Sequence, residues 1–130
     1  MPNFVEIYRG VISNEGRETI LFSKIISRKP VCDVCHGVHF IVTFDCGGYI
    51  TDFSRICLTK TENEKWDERD VEFMRKKLLG KSVNKKLFFN AEVDAVSTAT
   101  MTCALIFNSI NRLAGVYNEL KNDQKLFSTQ

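Results

Sequence analysis

Val38-His39-Phe40-Ile41-Val42-Thr43-Phe44 and Tyr49-Ile50-Thr51-Asp52-Phe53-Ser54-Arg55-Ile56-Cys57-Leu58 stand on either side of Asp45-Cys46-Gly47-Gly48. Both flanking runs are rich in β-branched and aromatic residues, and the two glycines supply the positive φ that a tight reversal demands. The spacing predicts an antiparallel hairpin. In its second strand Tyr49, Thr51, Phe53 and Arg55 share one face, and Ile50, Asp52, Ser54 and Ile56 the other. Neither face is cleanly apolar, so the two are expected to meet different neighbours.

Upstream, Thr19-Ile20-Leu21-Phe22-Ser23-Lys24-Ile25-Ile26 reads as a strand bounded by Asn14-Glu15-Gly16 and Arg28-Lys29-Pro30. Phe4-Val5-Glu6-Ile7-Tyr8 alternates and stops near Gly10, which predicts one more strand. Downstream the period changes. A helix is expected from about Asp67 to Leu79, with Asp67 as N-cap, Glu68 and Asp70 in the first turn, Arg75-Lys76-Lys77 in the last and Gly80 placed for a C-cap. Val71, Met74 and Leu78 form its apolar stripe. A second helix is expected from about Ala99 to Leu120, because Cys103, Ile106, Ile110, Leu113, Tyr117 and Leu120 recur at spacings of three or four, with Phe107 and Ala114 widening the stripe. Gly115 inside it costs about 1 kcal/mol relative to alanine, which predicts a kink or a separate piece in the last turns.

Strands first and helices afterwards define an α+β class: an antiparallel sheet of about four strands in the first half, packed against two helices in the second. A chain of 130 residues, 44% hydrophobic and 26% charged, builds one core, so residues 1–122 are expected to form a single domain and residues 123–130 to fray. With 18 Lys+Arg against 16 Asp+Glu the net charge is only +2, without the basic excess that non-specific phosphate binding needs, which argues against nucleic acid as a partner. No apolar run approaches the ~20 residues that span a bilayer, so no transmembrane segment is expected. Met1-Pro2-Asn3-Phe4-Val5-Glu6 lacks the basic n-region and long apolar h-region of an export signal.

Ahead of the second helix, four hydroxyl residues fall within six positions: Ser97, Thr98, Thr100 and Thr102. A helix start offers unpaired N–H groups and a partial positive charge, so hydroxyls around it make a cradle for a phosphate. The same residues also suffice for an ordinary N-cap at Ser97 or Thr98. Asp94-Ala95-Val96-Ser97-Thr98-Ala99-Thr100-Met101-Thr102 resembles the D-x-x-S-G-A-T-x-T motif of the FMN-binding domain, found in subunits of sodium-translocating NADH:quinone reductase and of the Rnf electron-transport complex. Phe40 to Phe53 is similar to the strand–turn–strand of that family, and Gly80-Lys81-Ser82 resembles a further landmark; the likeness covers roughly residues 38 to 117. Thr98 stands where the family has glycine, and Leu58 to Trp66 replaces its glycine-rich loop.

The resemblance implies a small electron-transfer domain that binds FMN, an electron carrier or redox-complex subunit rather than a stand-alone enzyme. It puts a phosphoester attachment on Thr100, with Asp94, Ser97, Thr98, Ala99, Met101 and Thr102 at the phosphate end. It implies redox proteins as partners, with membrane association through them. Attachment by a dedicated transferase implies an extracytoplasmic setting; without flavin or haem a cytoplasmic one is expected.

Five cysteines, an odd number, cannot all pair within the chain. Cys32-Asp33-Val34-Cys35-His36 matches C-x-x-C-H, in which two thioethers and an axial histidine hold haem c. Three other readings fit the same residues: a redox disulfide, zinc or an iron–sulfur centre completed from His36, His39 and Cys46, or incidental thiols. A haem- or metal-binding module on Cys32, Cys35 and His36 without flavin is therefore the alternative function. Cys57 and Cys103 read as core thiols. Trp66 and Tyr49 either border a flavin ring or pack as ordinary aromatics.

Overall fold

The computed structural model describes residues 7–28, 38–60, 64–96 and 99–123. Four strands, β1 (Tyr8–Asn14), β2 (Arg17–Arg28), β3 (Val38–Asp45) and β4 (Ile50–Cys57), form one antiparallel sheet in the order β1-β2-β3-β4. A two-stranded ribbon follows, β5 (Thr59–Lys60) with β6 (Glu64–Lys65), and then four helices: α1 (Glu68–Leu78), α2 (Ala91–Asp94), α3 (Thr100–Asn111) and α4 (Leu113–Lys121). The expected α+β class is the one observed, with a meander first and helices afterwards.

The first strand begins at Tyr8 and runs to Asn14, later than the expected Phe4 to Gly10; Phe4 to Glu6 lie outside the described residues. Its reversal into β2 is a two-residue loop in which Glu15 and Gly16 both take positive φ, 52° and 79°. That geometry matches the right-handed twist of the paired strands, and only the glycine adopts it without strain. The hairpin anticipated around Gly47-Gly48 forms, with the Asp45 carboxylate accepting from the amides of Gly47 (2.9 Å) and Tyr49 (3.0 Å).

One face of the sheet is the core face. Ile20, Phe22 and Ile26 on β2, Val38, Phe40, Val42 and Phe44 on β3, and Ile50 and Phe53 on β4 are buried there. Ile50 and Phe53 cannot share a face in an unbroken strand, since side chains alternate. They do so because the β3–β4 register slips: Thr43 pairs with Asp52 while Phe44 pairs with Ile50, leaving Thr51 as an extra residue. A second slip, between His39↔Cys57 and Phe40↔Arg55, sets Ile56 outside the ladder, half exposed. Such bulges twist and re-aim a strand, and here they replace the strict alternation expected for β4.

α1 covers β4 with Val71, Met74 and Leu78. Its Asp67–Asp70 capping box is complete, each carboxylate accepting the other residue's amide at 3.0 Å. The helix ends at Leu78 with Leu79 as C-cap, and Gly80 follows it in the left-handed region, φ 84°, donating its amide to the Ile50 carbonyl. Arg75 ties the helix to the strand, reaching the Phe53 carbonyl at 3.0 Å and Asp52 at 3.3 Å.

The second helix is two. α3 and α4 are separated at Arg112, while Gly115 sits inside α4 without interrupting it. The predicted stripe is buried at Cys103, Ile106, Phe107, Ile110, Leu113 and Tyr117, whereas Leu120 is only partly buried. Tyr117 closes the far end of the core by packing its ring edge-on to Phe44 and donating its hydroxyl to the Cys46 carbonyl at 2.8 Å. Cys57 is half-buried on β4 rather than in the core. Among the described residues, no helix is long and apolar enough to cross a membrane.

Candidate functional site

α3 starts with Ala99 as N-cap, and alanine offers no side-chain acceptor. The first turn holds Thr100, Met101 and Thr102, none acidic, and the first amides of any helix lack intrahelical acceptors. Thr100 and Met101 are exposed. Thr102 is partly buried, and its hydroxyl is committed to the Thr59 carbonyl at 2.9 Å. Ser97 and Thr98, the expected caps, lie outside the described residues.

Asp94 does not extend this turn. It folds back on α2, where Oδ2 accepts the Asn90 amide at 2.9 Å and Oδ1 stands 3.7 Å from Lys77 Nζ. The Thr59 carbonyl that holds Thr102 also receives Trp66 Nε1 at 3.1 Å, so Trp66 is a buried strut of the ribbon rather than an exposed platform. Next to Thr59, Lys60 pairs with Asp70 at 3.1 Å, and both side chains are largely buried. Asp70 and Asp94 are thus each held by their own lysine. Sequence reasoning missed Thr59, Lys60 and Asp70 as neighbours of the site; Thr59 and Thr102 are 43 positions apart, and no spacing rule joins them.

One turn into α3, Cys103 is fully buried and its Sγ accepts the Val96 amide at 3.2 Å. Burial pushes this thiol up to about 11, with Asp70 and Asp94 adding to the rise and the Val96 hydrogen bond opposing it. Cys103 is therefore a neutral packing thiol at physiological pH, not a nucleophile. The unfolded chain loses this proton near pH 9, before the folded protein does. Stability should therefore fall as pH rises from about 9 to 11. Thermal melts of wild type and Cys103→Ser across that window should diverge, with the serine variant falling less steeply; parallel curves would show that the thiol keeps an ordinary pKa.

No family model, curated protein or solved structure matches the chain.

Cys32, Cys35 and His36 lie outside the described residues. Of their suggested co-ligands, His39 stands near the start of β3 and Cys46 just past its end, about 23 Å apart at ~3.3 Å per residue, and so the two cannot share an ion. His39 Nδ1 is hydrogen-bonded to the Ser27 hydroxyl at 2.9 Å, and burial raises the Cys46 thiol above its usual range. Among the described residues no group of three His, Cys, Asp or Glu side chains is placed to hold a metal. Tyr49 is half exposed beside the hairpin turn, against the Gly47 backbone.

Proposed function

We propose that this chain is a small electron-transfer flavoprotein domain that takes FMN with its phosphate at the start of α3. The observation that carries the reading is a helix first turn with no side-chain cap among the described residues and no acidic residue, on which Thr100 presents an exposed hydroxyl. An N-cap side chain is worth about 1 kcal/mol, and an anion at a helix start contributes about 0.3–1 kcal/mol. A phosphate there would make good the contribution that Ala99 does not. The likeness of Asp94 to Thr102 to the FMN-binding motif supports the same residues.

In this reading the amides of Thr100, Met101 and Thr102 bind the phosphate and Thr100 is its point of attachment. Thr102 positions the turn, through its bond to Thr59. Asp94 shapes α2 and keeps Lys77 close. The flavin would supply the redox chemistry, and the chain would bind and orient it for exchange with partner proteins.

The test is a visible absorption spectrum of protein purified from an export-competent host, followed by acid precipitation. A flavin band that stays with the pellet supports covalent FMN, and one that leaves with the supernatant supports reversible binding. A colourless protein, or a Soret band indicating haem at Cys32, Cys35 and His36, overturns the reading.

A further inference from the structure

At the opposite end of α3, a small cavity of about 190 Å³ opens between the end of β2 and the α3–α4 junction. Lys24, Arg28 and Arg112 line it together with Ser27 and Ser109, over a floor of Ile26, Leu113 and Val116. The described lining holds three cations and no carboxylate, and no ion pair joins any of the three to an acid among the described residues. Three like charges around one hollow repel one another, and the apolar floor lowers the screening between them. The α3 C-terminus attracts a cation, but that accounts for one of them, not for three.

The hollow is also built. Arg28 is fixed by hydrogen bonds to Asn108 Oδ1 at 3.1 Å and Ser109 Oγ at 2.9 Å. Ser109 is only 4% exposed; its oxygen accepts from Arg28, and its own proton finds no acceptor among the described residues. The charged groups around the hollow are all donors, namely the remaining guanidinium N–H groups of Arg28, the Arg112 fork and the Lys24 ammonium, and the Ser109 hydroxyl adds an O–H that can donate as well as accept. Planar guanidinium forks suit the oxygens of phosphate. The volume lies below the ~300 Å³ at which pockets for larger organic ligands begin.

We propose that this notch binds a phosphate group, either inorganic phosphate or a monoester headgroup, in an anion site separate from the α3 start. α3 has 12 residues and at ~1.5 Å per residue is about 18 Å long, so the two positions do not overlap.

The probe is inorganic phosphate, titrated at constant ionic strength and followed by amide and guanidinium NMR shifts. Saturable shifts centred on Arg28, Ser109, Arg112 and Leu113 are expected. Arg112 is exposed, so Arg112→Gln should fold normally while weakening binding by about tenfold, and Lys24→Gln combined with it should abolish binding. Thr100→Val should leave the shifts at Arg28, Ser109, Arg112 and Leu113 unchanged, which separates failure of this site from failure of the flavin reading. Co-sedimentation with phosphatidylcholine vesicles only when they contain phosphatidic acid, and only with Arg112 intact, would identify a lipid headgroup as the source. Shifts that chloride reproduces, shifts unaffected by Arg112→Gln, or no response to phosphate or vesicles would overturn the proposal.

Discussion

Thr100→Val is expected to eliminate acid-stable flavin while leaving the fold intact. Valine has the shape of threonine without the hydroxyl, and position 100 is exposed at the first position of α3, where no packing partner is lost. Surface substitutions of this kind stay within about 0.5 kcal/mol, so urea denaturation of the variant should superimpose on wild type. The two residues differ in the one oxygen that a phosphoester needs. Thr100→Ser restores that oxygen and should recover attachment. Thr102→Val is the contrasting control: it removes a hydroxyl already bound to the Thr59 carbonyl, so it should cost about 1 kcal/mol of stability and lower flavin content only in part. Precipitated wild type, Thr100→Val, Thr100→Ser and Thr102→Val compared by absorbance per polypeptide would decide the matter. Pellet-bound flavin persisting in Thr100→Val would exclude this residue as the attachment point.

The sequence discloses elements better than it discloses surfaces. Asp67 and Asp70 announce the start of α1, since a capping box is written in local spacing, and Gly47-Gly48 announces the hairpin for the same reason. The inward face of β4 is not local. It depends on where the β3–β4 ladder slips, and nothing in Thr51 or Ile56 marks either as the residue left over. The helix break illustrates the same limit: Gly115 carries the weaker propensity, yet the break falls at Arg112, with Ile110 and Leu113 buried on either side of it. Within the candidate site, the run from Asp94 to Thr102 is visible because it is contiguous. Its supports, Thr59, Lys60 and Asp70, come from the ribbon and α1, and only the folded chain brings them to α3.

The bulged register of β4 can be tested through Phe53. Strict alternation from the buried Ile50 would turn Asp52, Ser54 and Ile56 inward and Phe53 outward. With Thr51 set aside, Phe53 faces the core instead, fully buried, its ring 5.4 Å from that of Phe40. Phe53 also lies where α1 is anchored, since Arg75 holds its carbonyl. Phe53→Ala should therefore cost about 3–5 kcal/mol, the range for a buried phenylalanine whose space the surroundings cannot refill. Against a total stability of about 5–15 kcal/mol for a domain, that removes from about a fifth of the total to nearly all of it. Ile56, 52% exposed, should behave oppositely, with Ile56→Ala shifting stability by no more than about 0.5 kcal/mol. Urea midpoints at unchanged m-value give both numbers. A large loss at Ile56 with a small one at Phe53 would mean that β4 alternates without a slip and that α1 docks on a different set of side chains.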